Sequence, residues 1–88
     1  MRVQYDPVKA AANVRKHGVS FADAEGVLAD PLAVTIEDPD TQGERRYVAI
    51  GSSNLGELLV VVYSMRADEC RLISARRATR KERNAYEG

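Results

Sequence analysis

Arg71-Leu72-Ile73-Ser74-Ala75-Arg76-Arg77-Ala78-Thr79-Arg80-Lys81-Glu82-Arg83 is the stretch on which the reading of this 88-residue chain turns. Neighbouring side chains of a strand point to opposite faces. A strand from Cys70 to Arg76 therefore sends Ile73 and Ala75 one way, into a covered core, and Ser74 and Arg76 the other way, onto an open face. Thr79 with Glu82 three residues later is a capping box and opens a helix. Arg77 falls at the junction. A helix N-terminus offers free N–H groups and a favourable dipole to a phosphate, and arginines beside it can grip that phosphate with two parallel hydrogen bonds.

Working outward, Glu57 to Ser64 is apolar on both alternating faces and reads as a central strand. Arg66-Ala67-Asp68-Glu69 turns the chain between these two strands. Before them, Arg45 to Gly51 reads as a strand with Val48 and Ile50 on one face, followed by a turn at Ser52-Ser53-Asn54-Leu55-Gly56. Ala33 to Ile36 is a further strand, and Glu37 to Glu44 is an acidic turn or loop.

The N-terminal third reads as helices. Asp6-Pro7 is an N-cap followed by proline at the first helical position, and Gly18 ends the helix that follows through Val8 to His17. Ser20 caps a second helix, with Asp23 in the capping-box place. Phe21, Ala24, Val27 and Leu28 share one face of it, and Asp30-Pro31 closes it. Val3 to Tyr5 is a short edge strand. The order β-α-α-β-β-β-β-α predicts an α+β fold: a two-layer sandwich of a mostly antiparallel sheet with helices on one face. It is a single domain over residues 1–88.

Composition narrows the function. The chain is 44% hydrophobic and 30% charged, which fits a folded domain. Its longest strongly apolar run, Leu58 to Tyr63, is far shorter than the about 20 residues a bilayer crossing needs. No apolar stretch follows Arg2 as in a signal peptide. One cysteine, Cys70, precludes an internal disulfide and fits a reducing cytoplasm. With one histidine besides it, the usual zinc ligands are too few; an all-carboxylate Mg²⁺ site stays open but has no motif, and neither metal nor cofactor is expected. Net charge is zero but segregated: residues 1–44 hold four Lys/Arg against eight Asp/Glu, and residues 45–88 hold nine against five. The basic half suggests a polyanion site near the C-terminus.

RNA cleavage by attack of the 2′-hydroxyl needs a base, an acid and cations for the crowded phosphate. Candidates are His17 as acid or base, Lys16 and the arginines as charge stabilisers, and Ser74 beside Arg76. Arg45, Arg46, Arg66, Arg71 and Arg80 are candidates for RNA binding, although Arg45 and Arg46 face opposite ways in a strand. Two alternatives stay open on the residues alone. The arginines can be pairing acids such as Glu57 or Glu69, and basic residues before a terminal glycine are what any helix end favours. Tyr47, Tyr63 and Tyr86 suit base stacking or plain packing, and Cys70 reads as a small buried hydrophobe.

Taken together, Asp6-Pro7-Val8-Lys9-Ala10, Asn13-Val14-Arg15-Lys16-His17-Gly18-Val19-Ser20-Phe21, Ala29-Asp30-Pro31-Leu32, Glu44 to Gly51, Leu59 to Tyr63 and Arg71 to Arg83 resemble the BrnT-type toxins of type II toxin–antitoxin systems. The resemblance runs from about Tyr5 to Tyr86. It implies a RelE-like ribonuclease fold and an RNA-cleaving inhibitor of translation, acting on messenger or ribosome-associated RNA and neutralised by a BrnA-like antitoxin. It also implies a homodimer or a 2:2 heterotetramer with an antitoxin that carries the DNA-binding domain. It raises Lys16 and His17 as functional residues, because both fall in the family's motif. Tyr5 stands where the family has Trp, and Ser64-Met65-Arg66 where it has Thr-Glu-Arg. The expected cleft joins Ser74, Arg76 and Arg77 on the open face to Lys16 and His17, with Arg76 weighing more than His17. The rival reading is a non-catalytic RNA-binding module or repressor-complex subunit.

Overall fold

The computed structural model describes residues 2–38 and 44–88. Its elements are β1 (Arg2–Gln4), α1 (Pro7–His17), α2 (Phe21–Ala29), β2 (Val34–Glu37), β3 (Arg45–Ser52), β4 (Leu58–Arg66), β5 (Glu69–Arg77) and α3 (Arg80–Glu87). This is the order the sequence predicts. The middle of the acidic turn, residues 39–43, lies outside the described residues.

Local chemistry sets the helix ends. Asp6 Oδ1 accepts a hydrogen bond from the Val8 N–H at 2.8 Å, and Pro7 is the first helical residue of α1. Gly18 ends α1 at φ 69°, in the left-handed region that glycine enters at no steric cost. The Ser20 hydroxyl accepts from the Asp23 N–H at 3.0 Å and starts α2.

The five strands form one sheet in the order β1-β5-β4-β3-β2. β1 runs parallel to β5 and every other pair is antiparallel. β1 and β2 are thus opposite edges. The connection between them, α1 and α2, crosses one face of the sheet, and the β2-to-β5 meander then returns to the starting edge. Between sheet and helices lie Val19, Phe21, Ala24, Val27, Ala49, Leu59, Val61, Cys70, Leu72 and Ala75, all buried. Tyr5 meets Phe21 edge-to-face at a centroid distance of 5.3 Å.

Two expectations need correction. First, simple alternation along β5 fails at Ile73: Val62 pairs with Ser74 while Tyr63 pairs with Leu72, so one residue bulges. Leu72, not Ile73, joins Ala75 in the core. Ser74 and Arg76 keep their predicted place on the other face, but Arg77 shares the face of Leu59 and Ala75. Second, the helices are not all on one face. α3 packs against β3 on the face away from α1 and α2, where Arg76 pairs with its Glu82. Val60, on that same face, is only 3% exposed although it lies outside the main core cluster.

Candidate functional site

Alternation along the last residues of β5 parts the two arginines. Arg76 stands opposite Val60 and Arg77 opposite Leu59, so their side chains leave β5 on opposite faces. Arg77 turns toward the end of α1. Its Nη1 donates to the His17 carbonyl at 3.2 Å, and its Nε donates to Glu57 Oε2 at 2.8 Å. One guanidinium thus joins the Lys16-His17-Gly18 turn to a carboxylate on the β3–β4 connection. Lys16 is exposed and His17 half-buried at that turn.

The connection carrying Glu57 is held from several sides. The Ser53 hydroxyl accepts from the Glu57 N–H at 3.1 Å, and the Ser53 N–H donates to the Glu57 carbonyl at 2.8 Å. The Leu55 N–H donates to Asp23 Oδ1 at 2.8 Å, and Asn54 Nδ2 donates to the Ala22 carbonyl at 3.0 Å. The start of α2 therefore clamps the turn. Contact is close enough that a Cβ on Gly26 of α2 would lie 2.4 Å from the Asn54 nitrogen, so only glycine fits there.

Arg76 has a different partner. It grips Glu82 with two hydrogen bonds, Nη1 to Oε1 at 2.8 Å and Nη2 to Oε2 at 2.7 Å. Glu82 Oε1 also accepts from the Thr79 N–H at 2.9 Å, completing the predicted capping box with Thr79. The Arg76 hydrogen bonds, followed by that from Thr79, hold the Glu82 carboxyl down at about 2. A carboxylate of the chain itself thus fills the place at the α3 N-terminus that the sequence suggests for a phosphate. The far end of α3 is tied down by Tyr86, whose hydroxyl donates to Asp30 Oδ2 at 2.7 Å. Asp30 also accepts from the Ser52 and Leu32 N–H groups, and its carboxyl lies below the usual range, most of all because of Ser52.

Between these features opens a cavity of about 510 Å³, bordered by Ser52, Glu57, Leu58, Arg77, Arg83 and Tyr86. A larger one, about 630 Å³, lies at the other end of the strands beside Arg45, Tyr47, Met65 and Arg66. The first is the better candidate site, because it holds the Glu57–Arg77 pair next to the His17 turn.

The expected single cleft is not what the fold builds. Arg77 meets the His17 turn, whereas Ser74 and Arg76 lie on the opposite face of the sheet. The five arginines proposed for RNA binding also spread out. Arg46, Arg66 and Arg71 share the face of Ser74, and Arg45 takes the other face, as alternation requires. The pairs Ser64–Arg71 and Val60–Arg76 are four β4 residues apart, roughly 13 Å along the strand. Arg66 approaches Glu44 at 3.9 Å, and Arg80 is exposed at the start of α3. Tyr47 and Tyr63 stack on each other at 5.4 Å. Cys70 is fully buried, as expected, and burial pushes its thiol up to about 11.

Sequence reasoning read Glu57 only as a possible ion-pair partner and passed over Asn13 and Asp30. For Glu57 the signal was present: an acid directly after a glycine-containing turn, at the mouth of a central strand. Asn13 and Asp30 act through backbone groups remote in sequence, which no local pattern displays.

Comparison with known proteins now adds identity to geometry. The profile of a family described as "Ribonuclease toxin, BrnT, of type II toxin-antitoxin system" matches residues 5–82. The crystal structure of the Brucella abortus ribonuclease toxin BrnT is similar to this chain at a TM-score of 0.65 and 29% identity, over 91% of this chain and 99% of that one. No curated protein sequence matches.

Proposed function

Since the chain belongs to the BrnT family of ribonuclease toxins of type II toxin–antitoxin systems, we propose that it is a metal-independent endoribonuclease that inhibits translation in the cytoplasm and is neutralised by a BrnA-like antitoxin. The observation that carries this reading is Arg77 joined to both the His17 turn and Glu57 at the border of a cavity. Cleavage by 2′-hydroxyl attack piles negative charge on the phosphate. Arg77 supplies a fixed cation there, and preorganised charge is usually the largest catalytic contribution. Lys16 adds a second cation from the same turn. His17 donates a proton to the departing 5′-oxygen. Ser74 lies on the opposite face, where Arg46, Arg66 and Arg71 engage the phosphates of the extended RNA and Arg76 holds Glu82.

Exposed apolar residues support the partner. Val34 and Ile36 of the edge strand β2 stand beside Ile50 and Val48 on the face away from α1 and α2, and Ile36 is 63% exposed. A small chain with such an edge gains core by association. The antitoxin covers this face, in a 2:2 assembly.

Incubating the purified protein with RNA in EDTA tests the proposal. A ribonuclease of this kind cleaves. A pure RNA-binding module shifts the RNA intact, and a metal-dependent enzyme stops.

A further inference from the structure

We propose that Glu57 is the general base of the cleavage reaction, an inference that rests on the ribonuclease reading above. A base needs reach, a fixed position and a neighbouring cation that also holds the phosphate. Glu57 has all three. Its carboxylate borders the 510 Å³ cavity. Its backbone is locked on both sides by Ser53, and the turn before it is clamped to the start of α2 through Asp23 and Ala22. Its Oε2 accepts from Arg77 Nε, while the same guanidinium reaches the His17 carbonyl through Nη1. The hydrogen bond from Arg77 falls on Oε2 and leaves Oε1 as the oxygen to take the proton.

The step balances without any further reagent. Glu57 takes the proton of the 2′-hydroxyl as the 2′-oxygen forms its bond to phosphorus. The bond from phosphorus to the 5′-oxygen breaks, and the leaving oxygen takes a proton from His17. The products are a 2′,3′-cyclic phosphate and a 5′-hydroxyl. Afterwards Glu57 carries one proton more and His17 one fewer, and exchange with water restores both. Arg77 hydrogen-bonds both Glu57 and the His17 backbone carbonyl and is placed to hold the non-bridging oxygens.

The rival is that Glu57 merely orients Arg77. Glu57→Gln separates the two, because the amide oxygen still accepts from Arg77 Nε but the side chain no longer takes a proton. Single-turnover cleavage of a synthetic RNA oligonucleotide, with binding measured in parallel, is the readout. Loss of a general base lowers the rate by about 10²–10⁴-fold. RNA affinity stays near wild type, the rise of rate with pH on the acid side disappears, and Glu57→Asp recovers part of the rate. A Glu57→Gln protein that cleaves at the wild-type rate overturns the proposal and leaves the ribonuclease reading standing. Wild-type protein that leaves RNA intact overturns both. Circular dichroism verifies the fold of each variant, and the Asp variant retains the test if the Gln variant does not fold.

Discussion

Asn13 and Ala75 exchange two hydrogen bonds across 62 residues of chain: Asn13 Nδ2 donates to the Ala75 carbonyl at 2.8 Å, and the Ala75 N–H donates to Asn13 Oδ1 at 3.1 Å. β1 pairs with β5 only as far as Arg71, so the backbone of β5 beyond it lacks a strand on that side. The Asn13 carboxamide stands in for the missing strand. Its Nδ2 also donates to the Val19 carbonyl at 2.9 Å, which fixes the chain just past the His17-Gly18 turn. One buried side chain therefore sets α1, its terminal turn and the Arg76–Arg77 end of β5 relative to one another.

Asn13→Ala is expected to be strongly destabilising. It leaves the Ala75 N–H and carbonyl and the Val19 carbonyl without their partner, and each buried unsatisfied group costs about 1–3 kcal/mol. Urea denaturation followed by circular dichroism should show a loss of at least about 2 kcal/mol. A loss within roughly 0.5 kcal/mol, the range of an ordinary surface change, contradicts the role assigned to Asn13.

Arg77 should matter more to cleavage than Arg76. Arg77→Ala removes the cation beside His17 and Glu57, and one positioned donor is worth about 10²–10³ in rate. Arg76 is committed to Glu82, so Arg76→Ala should loosen α3 and lower the rate less. Single-turnover cleavage by both variants measures the difference, and an inactive Arg76→Ala protein with α3 intact refutes it.

Acid should release α3 from the sheet. The Glu82 carboxyl is held at about 2 in the folded protein, below its ordinary value of 4.5. The stabilisation is therefore fully present above the ordinary value and is lost as pH falls from there toward 2. Hydrogen exchange of the α3 amides, expressed as protection relative to the intrinsic rate at each pH, should lose protection across that window in wild type. Glu82→Gln should exchange fast already at neutral pH. Equal α3 protection in wild type and Glu82→Gln at neutral pH would count against this tether.

Cys70 should be chemically silent in the native protein. It is fully buried and its thiol is pushed up to about 11, chiefly by burial, while only the thiolate reacts. A thiol reagent at pH 8, a value about half a unit below the free thiol's pKa, should label it only after urea is added. Rapid labelling of the folded protein would show that the β5 core is open.

Much of the fold was legible because its signals are local. The caps at Asp6, Ser20 and Thr79, the stop at Gly18 and the apolar run from Leu58 to Tyr63 each act within a few residues, and each sits where the sequence places it. The site was legible only in part. The bulge at Ile73 comes from pairing with β4, which the β5 sequence does not contain, and it puts Leu72 rather than Ile73 in the core. The side on which α3 packs depends on Glu82 finding Arg76 and Tyr86 finding Asp30, contacts between elements that no periodicity encodes. Arg45 and Arg46 divide over the two faces as alternation requires, whereas the turning of Arg77 toward Glu57 and the His17 carbonyl depends on contacts remote in sequence.

The protein cleaves RNA, on the reading proposed above, without metal and through the RNA's own 2′-hydroxyl. The most direct test is a pair of oligonucleotides with the same sequence, one all RNA and one with 2′-deoxyribose on the 5′ side of the mapped cleavage bond, each incubated with the protein in EDTA. The first should be cleaved, leaving a 2′,3′-cyclic phosphate and a 5′-hydroxyl, and the second should stay intact at that bond. Cutting of the deoxy substrate at the same bond, or no cutting of either until a divalent metal is added, would contradict that reading.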